Sequence, residues 1–158
     1  MTDKTEPLEL DSDEQELIEL ELASLLPALE GPRRERYQAL AETVAGGTVP
    51  PDLVPQLESL LELVLQTARA RKLYRAEGER ILTALLRRTP RGRELTGHLN
   101  DVNTALTAIT GHTLNGVRVG MRTLGHFTVT LQTDAATLTL AVRPDGLNVE
   151  SVAVGDRS

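Results

Sequence analysis

The chain contains no cysteine, and that one absence removes disulfide frameworks, thiolate zinc sites, iron–sulfur clusters and cysteine nucleophiles together. It also leaves the redox compartment unreadable from thiols. Aromatic residues are almost as scarce, limited to Tyr37, Tyr74 and Phe127 with no tryptophan. Such a chain offers few platforms on which bases, sugars or flavins stack. Phosphate-cradling loops are missing too, since neither Gly-x-Gly-x-x-Gly nor a Walker-type loop occurs. None of the five serines lies in a Gly-x-Ser-x-Gly elbow. No apolar run approaches the roughly 18 residues that a membrane span requires. Residues 1–10 are charged and polar instead of basic and then apolar, so no signal peptide is expected and the cytoplasm is the expected location.

What the chain does have is leucine, at 28 of its 158 positions. Its core must therefore be aliphatic. The length suits one domain, with or without a helical arm. Net charge is −6, but the charge is segregated. Residues 1–30 carry ten acids against Lys4, and residues 69–93 carry nine bases against Glu77 and Glu79. The two blocks are able to answer each other within one molecule or across a dimer.

Periodicity divides the chain in two. Residues 1–11 read as a flexible acidic tail. Ser12 and Gln15 match a capping box, with Asp13 and Glu14 complementing the helix dipole. The helix that follows carries Ile18, Leu22, Leu25 and Leu29 on one stripe, with Leu17 and Leu26 beside it, and ends near Leu26 ahead of Pro27. A second helix is expected over 33–45, stopped by Gly46-Gly47. Together 12–47 form an acidic helical arm, and the proline-bearing segment 48–51 reads as a rigid linker into a domain spanning 50–158. Its helices occupy 51–110: one over 51–73, one over 75–88 burying Ile81, Leu82, Leu85 and Leu86, and one opened by Thr89-Pro90 and closed by Gly111. Whether Gly78 lets the first two run together is left open. That last helix presents Leu95, Leu99, Val102, Leu106 and Ile109.

From Thr113 the period becomes two, the mark of strands. Val117, Val119 and Met121 alternate with Arg118, Gly120 and Arg122. Phe127, Val129 and Leu131 alternate with His126, Thr128, Thr130 and Gln132. Leu138, Leu140 and Val142 alternate with Thr137, Thr139 and Ala141. Asp134-Ala135 and Pro144-Asp145-Gly146 supply turns. A fourth strand begins at Leu147 and slips phase at Ser151, which implies a bulge or the strand's end. The expected fold is α+β: a bundle of four to five N-terminal helices packed on a four-stranded antiparallel meander over 113–154, with a threonine-rich face left open.

Catalytic chemistry finds little footing. His98, His112 and His126 with Asp101 are conceivable metal ligands, but no His-x-x-x-His or Glu-x-x-His pair accompanies them. No metal, cofactor or catalytic residue is therefore expected. The expected function is that of a non-enzymatic interaction or regulatory protein, a homodimer, contacting a protein partner or a second copy through Ile18, Leu22, Leu25 and Leu26 of the acidic helix. The alternative is a nucleic-acid-associated protein that holds phosphates with Arg69, Arg71, Lys72, Arg75, Arg87, Arg88, Arg91 and Arg93, with the acidic helix as internal competitor. The bland reading of that block is a solvated basic face paired with the acidic helix.

Overall fold

The computed structural model describes residues 6–155. The fold is α+β, with five helices in the N-terminal part followed by a four-stranded antiparallel sheet. The chain forms two compact units, Met1–Gly92 and Arg93–Ser158.

In the first unit, strand β1 (Leu8–Glu9) pairs antiparallel with β2 (Thr48–Val49). Part of the expected flexible tail, and the expected rigid linker, thus form one small ladder; residues 1–5 lie outside the described residues. Helix α1 (Ser12–Leu25) is capped by Asp11, not Ser12. The capping box is the same device one residue earlier: Asp11 Oδ1 accepts from the Glu14 amide at 2.8 Å, and Glu14 Oε2 accepts from the Asp11 amide at 3.0 Å. A carboxylate cap suits the positive helix end better than a hydroxyl does. Freed from that task, Gln15 donates to the Ala45 carbonyl instead. The helix ends ahead of Pro27, as its ring requires, in a short 3-10 turn at Leu26–Ala28.

Helix α2 (Gly31–Ala45) carries Tyr37, Leu40 and Val44 into the core. The single helix expected over 51–73 is interrupted. Helix α3 (Val54–Gln66) stops, Ala68 takes a left-handed conformation at φ 55°, and α4 (Arg69–Arg88) begins. A second break lies inside α4, where Arg75 has φ 62°. Just beyond it, a methyl at Gly78 would overlap the Tyr74 side chain, so only glycine fits the kink. The core of this unit is continuous from Ile18 and Leu22 through Leu40, Leu57, Leu61 and Val64 to Leu82 and Leu85. Residues 12–47, read from sequence as an arm, share that core with α3 and α4 across the 48–51 segment.

Helix α5 (Pro90–Thr107) leads into the second unit. The sheet runs β3 (Leu114–Thr123), β4 (His126–Thr133), β5 (Ala136–Arg143) and β6 (Gly146–Val154), neighbour to neighbour as a meander. Its register places Val119, Val129 and Leu140 in one row and Val117, Leu131 and Leu138 in the next. The phase slip expected near Ser151 is a bulge: Thr139 pairs Ser151 while Leu140 pairs Val149, leaving Glu150 as the extra residue. Val102, Ala105, Leu106 and Ile109, from α5 and the turn after it, pack on Leu138, Leu140, Val129, Leu131, Leu147 and Val149.

Candidate interaction surface

The acidic and basic blocks meet inside the first unit. Glu21, only 3% exposed, accepts from Arg69 Nε at 2.8 Å and from the Tyr74 hydroxyl. Arg69 also donates to Ser24. Burial, and then the hydrogen bond to Glu21, push the Tyr74 phenol up to about 12. At the other end of α1, Glu14 accepts from Arg88 at 2.7 Å, and Arg88 donates as well to the Glu9 carbonyl. Both carboxylates are buried and therefore need these partners. A third contact seats the start of α5. Glu58 accepts from the Arg91 amide at 2.8 Å and Glu62 from Arg91 Nε at 3.0 Å, two carboxylates where a helix dipole is positive.

The candidate nucleic-acid residues are accordingly divided. Arg69, Arg88 and Arg91 face carboxylates of α1 or α3, and Arg71 pairs with Glu79 at 3.3 Å. Lys72, Arg75, Arg87 and Arg93 are exposed, and Arg93 is also engaged in polar contacts. The candidate partner-binding residues are divided too. Ile18 and Leu22 are each 1% exposed in the unit's own core, while Leu25 and Leu26 are half-buried against it. The apolar stripe of α1 is thus occupied within the chain. Ile18 and Leu22 have no surface to offer a partner while this unit is folded.

Clefts open on the same unit, among them one of about 390 Å³ lined by Glu79, Arg80, Thr83 and Arg87. One of about 280 Å³ lies beside Glu21 and Arg69 and is lined by Leu25, Leu60 and Leu63 among others; one of about 310 Å³ is lined by Arg33, Arg36, Tyr37, Gln56 and Ser59. Among the described residues, no cluster of three or more histidines and acids is placed to hold a metal ion. His112 bonds through Nδ1 to Asp134 at 3.1 Å, beside the turn between β4 and β5.

The second unit holds what sequence reasoning missed. The threonine face expected to be open is half-buried at Thr128, Thr130, Thr137 and Thr139 and buried at Ala141. It is the apolar face that lies open, at one edge. The packing of α5 reaches β4, β5 and β6 but not β3. Val117, Val119 and Met121 are exposed, with Val119 at 66%, and Phe127 and Leu114 extend the strip. Leu124, at the hairpin tip, is 92% exposed. A contiguous apolar patch of this kind differs from the scattered exposed leucines of any surface, and marks a place where something binds. The available signal was strand count: one helix about 10 Å wide cannot cover four strands spaced about 4.8 Å apart.

Comparison with protein-family models, with curated proteins and with solved structures finds no match for this chain. No helix among the described residues is long and apolar enough to cross a membrane.

Proposed function

We propose that this is a non-enzymatic protein-interaction or regulatory protein whose contact surface is the apolar strip along β3. The single observation that carries the reading is the exposure of Val117, Val119 and Met121 on one face of an edge strand. An edge strand presents unpaired amides and carbonyls, and ordinary proteins blunt it with prolines, lysines or bulges. The stretch 116–121 has none of these, and its register against β4 is uninterrupted. Strand addition with pockets for alternate side chains is the recognition mode such an edge suits. The role first assigned to the α1 stripe passes to β3, because Ile18 and Leu22 are committed to the core.

A nucleic-acid role remains the second reading, supported by the exposed Lys72, Arg75 and Arg87. It is weakened by the carboxylates already facing Arg69, Arg71, Arg88 and Arg91. The deciding test places a photo-reactive amino acid at Val117, or at Lys72, in the full chain and irradiates intact cells. Protein adducts at Val117 and none at Lys72 are the expected result. Nucleic-acid adducts at Lys72, or no adduct at Val117, would overturn the interaction reading.

A further inference from the structure

The strip on β3 also carries information about its occupant. We infer that the occupant is a second copy of this chain, with the two β3 edges paired antiparallel about a two-fold axis at Val119. This inference rests on the interaction role proposed for β3 and names its partner.

A two-fold interface must be self-complementary, so that residue i meets j and j meets i. In antiparallel pairing, directly opposite residues also share a face of the sheet. The axis must then pass through a residue, and the choice of residue can be tested against the sequence 116–122, Gly-Val-Arg-Val-Gly-Met-Arg. Centred on Val119, Val117 faces Met121 and Val119 faces its own copy, which joins the two apolar strips into one. On the other face Arg118 falls opposite Gly120, so that cationic side chain meets a residue without one and no two arginines oppose each other. Register shifts at Leu114/Gly116 and Met121/Thr123 bound the regular ladder of β3, so the symmetric pairing spans 117–121. Centring on Arg118 sets arginine against arginine, and like charges directly opposite are unfavourable; centring on Gly120 leaves only 119–121 within the regular ladder. Axes nearer either end of β3 shorten the overlap.

The other sheet edge does not compete. β6 carries the Glu150 bulge in its middle, a standard means of closing an edge to pairing, whereas the register shifts of β3 lie at its two ends and leave 116–121 regular. Glu150 also binds Arg122 at 2.5 Å, which neutralises one of the two β3 arginines before any pairing occurs. Net charge across the seam is lowered accordingly.

The test uses the full chain, whose lack of cysteine makes an introduced thiol unambiguous. Sedimentation across a concentration series is expected to give a reversible dimer. Val119→Cys is expected to form an intermolecular disulfide under mild oxidation, since the two thiols meet at the axis, whereas Leu73→Cys on exposed α4 does not. Val119→Glu sets two like charges together and is expected to halve the sedimenting mass with an unchanged circular dichroism spectrum. A wild-type chain that is monomeric at every concentration, or a dimer that survives Val119→Glu without cross-linking through Val119→Cys, overturns the inference. If that monomeric chain still yields adducts at Val117 to a different protein, the interaction reading stands and only the self-pairing falls.

Discussion

Glu21 is the residue on which the first unit's electrostatics turn. A carboxylate this deeply buried would be costly alone, and it is kept in place by a guanidinium and a phenol that arrive together from α4. Its weight shows in the phenol. Tyr74 ionises near 10 in an unfolded chain and near 12 here, mainly because burial disfavours the phenolate and then because the hydroxyl donates to Glu21. A folded pKa above the unfolded one gives stability that is complete below pH 10 and is lost as pH rises through 12. The expected outcome is a fall in the stability of the wild-type chain over that window, seen as a declining urea midpoint. Tyr74→Phe should be less stable at neutral pH, lacking the hydrogen bond, and should lose less on alkalinisation. Parallel alkaline profiles for the two proteins would remove Tyr74 from the account.

At the scale of elements, the turn that ends α4 and opens the first turn of α5 is closely specified within the first unit. Thr89 serves both helices: its hydroxyl donates to the Leu86 carbonyl at 2.7 Å and accepts from the Gly92 amide at 3.2 Å. A methyl on Gly92 would overlap the Leu86 carbonyl and the Arg87 backbone, whereas Gly97, further along the same helix, has open space around it. Alanine in a helix interior gains about 1 kcal/mol over glycine, while overpacking against fixed backbone costs about 1–3 kcal/mol. Gly92→Ala is therefore expected to lower the denaturation midpoint and Gly97→Ala to raise it, although propensity alone ranks the two alike. This corner was legible in sequence because Thr-Pro announces a helix start. The strands were legible for a similar reason, their period of two holding within each of the runs 117–121, 127–131 and 138–142. The break between α3 and α4 was not, since it falls at Ala68, a residue that ordinarily favours right-handed helix. The kink at Arg75 lies where the sequence itself divides the helices, between 73 and 75. Beside Ala68, Arg69 reaches Glu21 of α1, and such a contact has no local signature. The open edge at β3 was hidden in the same way, because alternation tells which residues share a face and not how far a single helix extends over it.

For the whole molecule, the question is whether a segregated charge pattern serves an external partner or an internal one. The nine bases at 69–93 suggest a phosphate-binding face when counted along the chain. Folded, that block is interleaved with Glu14, Glu21, Glu58, Glu62, Glu77 and Glu79. Each phosphate neutralised on duplex DNA contributes a slope of about −0.9 to the salt dependence of binding, so an arginine already facing a carboxylate has little counterion release left to drive association. A chain of net charge −6 adds long-range repulsion to that deficit. Titration of labelled duplex and single-stranded DNA with the full chain, at low and at physiological salt, is therefore expected to give no steep salt-dependent binding. The Glu14→Gln and Glu21→Gln double variant, which removes a carboxylate from Arg88 and from Arg69, is expected to bind more tightly than the wild type at low salt. Tight, salt-steep binding by the wild type, abolished when Lys72, Arg75 and Arg87 become alanine, would transfer function from the β3 edge to the basic block and give α1 the role of competitor for that site.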